Sequence, residues 1–519
     1  MCDSVNRSFA IPAALLHRPW VLWLVCWSVG GGVALFSFAP FGWWPLLMVG
    51  LAWLFRTLAR AAYLRDAAAA SGFFAHGYFT VGLSWLAVAL ARYGGLPWGV
   101  AAVAVALLAA YLALWWAIAG GITHWLWRRL GTVRALVPAA LWTLAEWGRG
   151  GLLTGFPWLM PGFAAAHDAG PLALFNGWFP IVGALGVTFL MVALAAAWGN
   201  APRRLQTWGI TFGVCVAGWG LGQIAWSEPA APPVTVSVIQ TVVAQDEKWD
   251  TRRWQTHFTE LTRKVARAKG AVVVTPETVL PLFESDLPQT WRAALAAAFA
   301  QGNDAHAPDA SNRTLLLGLF RRDATGIHNA LTTLDGRWHY DKRQLVPFGE
   351  FVPPGFHWFV RWLAIPFADQ VPGVANPSLG AWQRAHWAAN ICYESAFARW
   401  VVRDVRRGAQ ILVNASNFAW YGKTHGQWQH AQIGRARALE TARPWIQAVN
   451  AGVSAVFDAQ GRTVAIAAPW RDAVLDAVIV PQQGLTPFVR WGGEASVVFL
   501  ALALLGAVLS RRGRNRVRC

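Results

Sequence analysis

Three stretches of this chain run from apolar residues into residues able to do covalent chemistry: VVVTPE at Glu277, ANICYE at Cys392 and ILVNASN at Asn417. A polar loop between the first two, YDKRQLVPFGEFVP, carries Lys342 and Glu350. A thiolate rather than a thiol attacks a carbonyl carbon, so a nucleophilic cysteine requires a base or a cation close by. Glu277 can supply the base and Lys342 the cation, which would also hold an oxyanion. Histidine is the commoner base, but none lies at a comparable strand end, and His430 falls in a helical pattern and reads as structural. Among Cys2, Cys26, Cys215, Cys392 and Cys519 there is no CxxC pair, and only Cys392 lies in the mixed-composition part of the chain. A single cysteine ending a buried strand is most often an inert small hydrophobe. The chemical reading therefore depends on Glu277 and Lys342 converging on Cys392, which separation along the chain does not decide.

The elements that must bring them together form an α/β pattern. Strands are expected over 234–240, 271–275, 314–320, 330–334, 387–392, 411–416, 445–450 and 454–458. Helical spacing fills 251–269, 288–300, 396–407 and 427–442. Strands alternating with helices, several of them mainly apolar, imply buried sheets with chemistry at their ends.

Around that domain the composition changes. The chain has 519 residues, 55% apolar and 13% charged, which places it among membrane proteins. Residues 1–227 read as a membrane domain, 228–490 as a catalytic domain, and 491–519 as a last helix with a basic tail. About eight spans of roughly 20 apolar residues are expected, at 20–39, 43–60, 72–92, 97–120, 135–150, 178–198, 207–227 and 491–510. Trp43, Trp44, Trp98, Trp115 and Trp116 crowd the ends of these runs, where amphipathic rings favour the headgroup level. If the N-terminus is cytoplasmic, one set of links holds Arg7, Arg18, Arg56, Arg60, Arg65, Arg128, Arg129, Arg134, Arg203, Arg204 and the arginine tail, and the other holds Arg92 and Arg149. That bias puts 228–490 on the outer face. It also explains the net charge of +18 without nucleic acid. The Gly30–Gly32 run reads as a packing face between helices. No metal-ligand spacing and no phosphate loop ending in GK[ST] is present, so neither metal nor cofactor is expected.

The succession TPETVLP, DKRQLVPFGEFVP, ICYES and NASNFAWYG resembles the nitrilase, or carbon–nitrogen hydrolase, superfamily with its Glu-Lys-Cys triad. The longer KRQLVPFGEFVP phrase, the run GQWQHAQIGRARALETARPWIQAVNAGVSAVFDAQG, SFAPFGWWPL, LLTGFPWLMPG and the preceding spans are similar to one membrane-embedded branch, the apolipoprotein N-acyltransferases of bacterial inner membranes. The resemblance implies an αββα sandwich and a ping-pong reaction through a thioester on Cys392, with Glu277 as base and Lys342 at the oxyanion. The implied donor is a phospholipid, phosphatidylethanolamine. The implied acceptor is the amine of a diacylglyceryl-cysteine in an apolipoprotein, and the implied site faces the periplasm. Glu350 would orient Lys342; Tyr393, Glu394, Trp249 and Trp420 are carried over as supporting positions. Two departures stand out: Thr275 where the family usually has Trp, and Phe418 where it usually has Asp.

The stretch 355–369 is apolar for a loop, and Trp358, Phe359 and Trp362 read as a lid laid on the bilayer. Two other readings stay open: a membrane-tethered amidase or nitrilase acting on a small periplasmic amide, and a transporter with an accessory domain. A transporter predicts ionisable residues in several spans, whereas Glu146 and Arg149 are nearly alone. A monomer suffices for every step.

Overall fold

The computed structural model describes residues 19–130, 135–201, 203–302, 313–352 and 369–516. Among the described residues, eight helical positions longer than a single turn or two precede the soluble domain or follow it. They are α1 (Pro19–Ser37), α2 (Trp44–Arg60), α3 (Leu64–Gly82) with α4 (Leu86–Arg92), α5 (Trp98–Leu130), α6 (Leu136–Arg149), α7 (Phe179–Asn200), α8 (Leu205–Leu221) and a terminal helix, Glu494–Arg516. Length and apolarity alone qualify three of them among the described residues, those containing α1, α5 and α7. A fourth is added if α3 and α4, bent by 57°, form one broken span. The count of eight is therefore larger than these two criteria support. The physical reason is length: the 14 residues of α6 rise about 21 Å, short of a hydrocarbon core of about 30 Å.

Close backbone approach holds α1 against α3. A Cβ on Gly30 would lie 2.0 Å from the Phe74 carbonyl oxygen, and one on Gly77 would lie 2.0 Å from that of Trp27. The expected glycine face is thus real at Gly30, whereas Gly32 meets nothing within 4 Å. The Glu146–Arg149 pair is fully buried. Trp116 donates to Glu146 Oε1 at 2.7 Å, and Arg149 donates to the Trp158 carbonyl at 2.9 Å. These charges fasten the segment after α6 rather than line a path.

The soluble part is built on two six-stranded sheets. The first has the order β12-β1-β2-β3-β4-β5, with β1 Val234–Gln240, β2 Val272–Val274, β3 Thr314–Asp323, β4 Gly326–Thr333, β5 His339–Asp341 and β12 Ala473–Ile479. The second has the order β11-β10-β9-β8-β7-β6, with β6 Gly380–Trp382, β7 Ala385–Ile391, β8 Ile411–Asn417, β9 Trp445–Asn450, β10 Ser454–Phe457 and β11 Thr463–Ala467. In each sheet three parallel strands sit at the centre, β1-β2-β3 and β7-β8-β9, flanked by antiparallel ones. Alternate residues of the two sheets share one core: Val236, Val274 and Leu316 meet Trp387, Ile391, Val413 and Ile446. The opposite face of the first sheet, Val273, Leu315 and Leu317, packs on helices α9 (Trp254–Arg267) and α10 (Gln289–Gln301). That of the second, Ala388, Leu412 and Trp445, packs on α11 (Ala398–Arg406) and α12 (Gly426–Thr441). Period-two burial on both faces yields the four layers α/β/β/α.

Helix α12 also joins the domain to the membrane part. Gln429 Oε1 accepts the indole N–H groups of Trp85 at 3.1 Å and Trp158 at 2.8 Å. Within α7 the helix is broken at Gly183, whose φ is +64°. The Ala184 N–H left without a helical partner there donates to Glu440 Oε1 of α12 at 2.7 Å. Glu440 pairs with Arg437 at 2.7 Å, both buried.

Candidate active site

Glu277 follows β2 by a Thr-Pro step, and the site is shaped around that turn. Thr275, one of the two departures, is fully buried and accepts the Gly318 N–H at 3.1 Å. Gly318 is needed there, because a Cβ would lie 2.2 Å from the Pro276 carbonyl oxygen. Thr278 then takes a left-handed φ of +42°. Lys248, buried in the short turn Gln245–Lys248, fastens this corner by donating to the Glu277 carbonyl at 3.1 Å and to Thr278 Oγ1 at 2.7 Å. Burial pushes the Lys248 ammonium down to about 7, against the opposing charge of Glu277.

The expected loop does bring Lys342 to Glu277. Lys342 Nζ lies 2.7 Å from Glu350 Oε1 and 3.4 Å from Glu277 Oε1. Asn329, inward-facing on β4, bridges the same carboxylates, donating to Glu277 Oε1 at 2.6 Å and to Glu350 Oε1 at 3.1 Å. Glu350 Oε2 accepts the Val346 N–H at 2.8 Å, which closes the loop on itself. Burial works against the Lys342 ammonium, but the charges of Glu350 and Glu277 outweigh it and hold it well above the ordinary value.

Cys392 stands where β7 ends, with φ at +52°, a backbone region a residue with a Cβ adopts only under constraint. Its carbonyl accepts from Asn414 Nδ2 and from His430 Nε2, each at 3.3 Å. Burial is the largest influence on the thiol and pushes it up. The charges of Glu277 and Glu350 add to this, and those of Lys342 and the Asn417 N–H oppose it. The balance keeps the resting group a thiol, so attack requires a proton acceptor at the moment of reaction. The Glu277 side chain is near enough to influence that thiol, and Lys342 Nζ lies 3.4 Å from Glu277 Oε1.

Glu394 is fully buried and accepts four bonds: from the N–H groups of Arg343 at 2.7 Å, Gln344 at 2.9 Å and Ile391 at 2.6 Å, and from the Tyr340 hydroxyl at 2.7 Å. It ties the Lys342 loop to the strand end that carries Cys392. Tyr393 donates to the Gly155 carbonyl at 2.7 Å, on the segment that Arg149 fastens. Trp249 stacks on Phe320 with centroids 6.1 Å apart. Trp420 meets Tyr93, just beyond α4, edge-on at 5.3 Å. Phe418, the second departure, is buried with its ring 4.7 Å from that of His430. Burial lowers His430 to about 4, so it is neutral, in keeping with a structural part. Trp358, Phe359 and Trp362, expected to form a lid, lie outside the described residues. Sequence reasoning missed Asn329, Lys248 and Asn414. For Lys248 a signal existed, since a lysine directly before the singled-out Trp249 faces a buried strand end.

With a carboxyl group, an ammonium and a thiol gathered at the strand ends of this four-layer sandwich, residues 235–484 match the carbon–nitrogen hydrolase family model. Residues 30–197 match the model for the apolipoprotein N-acyltransferase N-terminal domain. An apolipoprotein N-acyltransferase of Ralstonia nicotianae is 38% identical over 496 residues, 92% of this chain and 91% of the relative. One of Nitrosomonas europaea is 36% identical over 499 residues, 93% and 97%. This chain therefore belongs to the apolipoprotein N-acyltransferase family. Among solved structures, an amidase of the nitrilase superfamily from Nesterenkonia AN1 overlaps 49% of this chain and 92% of its own, at 17% identity and a TM-score of 0.35. The NitFhit protein of C. elegans overlaps 51% and 64%, at 21% identity and a TM-score of 0.35. Because both halves match one acyltransferase family, the tethered-amidase alternative is not favoured.

Proposed function

We propose that the chain carries a fatty acyl group on Cys392, taken from a phospholipid ester and delivered to the N-terminal amine of a diacylglyceryl-cysteine in an apolipoprotein. The observation that carries this reading is the Lys342 ammonium held between Glu277 and Glu350 with the Cys392 thiol in their field. Glu277 takes the thiol proton as Sγ attacks the ester carbonyl. Lys342 holds the oxyanion, the C–O bond breaks, and the proton passes to the departing lysophospholipid oxygen. The amine then attacks the thioester, Glu277 takes its proton, the amide C–N bond forms, and the released sulfur is reprotonated. Glu350 and Asn329 orient Lys342 and Glu277, Glu394 fixes the loop against the nucleophile, and Tyr393, Trp249 and Trp420 shape the surroundings. The donor is read as phosphatidylethanolamine acylated at its first glycerol position.

The arginine distribution supports an eight-crossing body in the bacterial inner membrane with 228–490 on the periplasmic side. A monomer without cofactor suffices. Mass spectrometry of the purified protein with phospholipid should find one acyl adduct on Cys392 that disappears in Cys392→Ala. An adduct persisting in that variant refutes the nucleophile.

A further inference from the structure

Beside the site, but outside the chemistry just described, lies a cavity of about 740 Å³, a size typical of small-ligand sites. It opens between the α1–α2 connection at Phe41, the α3–α4 bend at Trp85, and the segment that follows β8. Phe41 and the nearby Trp43 are about half exposed, as aromatic side chains at the headgroup level are. Two cations line the cavity, Lys423 and Arg471, and neither side chain has an ion-pair or hydrogen-bond partner among the described residues. No carboxylate lines it, and Asp472, next in the chain, is engaged by Lys264 at 2.8 Å.

Two buried polar atoms of the lining are also unpartnered among the described residues, Thr424 Oγ1 and Gln427 Oε1. The Gln427 amide is oriented without ambiguity, since its Nε2 donates to the carbonyls of Gly422 at 2.6 Å and Ala451 at 3.1 Å. Both atoms are closed off from solvent, so they lie behind the cavity wall and do not face the cavity itself. Trp85, in the cavity lining, is the link from the cavity toward the reaction centre. Trp85 packs edge-on against Tyr421 at 4.6 Å, and the phenol of Tyr421 lies within the electrostatic reach of Cys392.

We propose that this cavity takes the phosphodiester headgroup of the acyl-donating phospholipid. Lys423 and Arg471, the two exposed cations of the lining, would pair with the phosphate. Naming the lipid as the donor rests on the acyl-transfer reading above.

The test uses the full chain in detergent carrying Cys392→Ala, titrated calorimetrically with dihexanoylphosphatidylethanolamine, dihexanoylglycerol or inorganic phosphate. The phospholipid should bind, the phosphate-free glyceride should not, and Lys423→Glu with Arg471→Glu should weaken phospholipid binding about tenfold or more. Lys423→Gln with Arg471→Gln should weaken it in the same direction and serves if charge reversal impairs folding. Equal binding of the glyceride, or unchanged affinity in both double variants, overturns the proposal. Inorganic phosphate binding as tightly as the phospholipid assigns the cavity to a free anion and overturns it too. Charge-dependent phospholipid binding in a protein whose intact Cys392 never forms a thioester would sink the acyl-transfer reading and leave this site standing.

Discussion

Asn329 touches both carboxylates that hold Lys342, although nothing in the proposed reaction gives it a proton to move. Replacing it with Leu removes both bonds; if about 1.5–3 kcal/mol of that loss is felt in the transition state, acylation of Cys392 should slow by roughly ten- to a hundredfold. Single-turnover mass spectrometry reads this directly, and an unchanged rate would show that Glu277 needs no such orientation. Lys248 carries a pH signature. Its ammonium is held near 7 when folded against 10.5 in an ordinary lysine, so between these values the unfolded chain binds more protons. Stability should therefore rise with pH across that window. Melting curves of the wild type in detergent should show this rise, and Lys248→Met should flatten it. A slope identical in the variant removes Lys248 as its source.

At the scale of elements, β2, β7 and β8 were readable because each is an apolar run that breaks abruptly into reactive residues. Strand β12 went unread, since it lies at a sheet edge with half-exposed side chains and carries Asp476 within it. Asn329 was hidden for a related reason: a single polar residue in a buried strand looks like a strand boundary, and here it marks the site. The short helices α2, α6 and α8 read as spans because apolar runs look alike whether lipid or protein surrounds them; α2 buries its apolar residues, whereas α8 leaves Trp208, Phe212 and Trp219 exposed. Gly318 was equally silent in the sequence, yet it sets how near β3 comes to the Glu277 turn. A Gly318→Ala substitution should cost about 1–3 kcal/mol of stability and displace Glu277. Activity should fall further than the shift in melting temperature explains, and a proportionate loss of both would mean packing alone is affected.

For the whole molecule, orientation decides whether the site meets the outer leaflet. A reporter active only in the cytoplasm, fused within 228–490, should stay silent, and one fused after residue 519 should be active. The reverse pattern would overturn the arginine-based topology. The two halves are also interlocked through α12, whose Gln429 takes up indole N–H groups from two separate membrane segments. Such contacts leave little freedom for the domain to swing away as a unit.

The break at Gly183 bears on the order in which the protein is made. Ala184 leaves the ribosome 256 residues before Glu440, whose carboxylate is the group that receives its N–H. During that interval the helix carries an unsatisfied donor at a place where lipid has nothing to offer it. A chain halted before α12 should therefore be cut by protease near residue 183, while the finished chain should resist. The membrane body is thus completed late, by the last large helix of a domain that is made only after helices α1–α8.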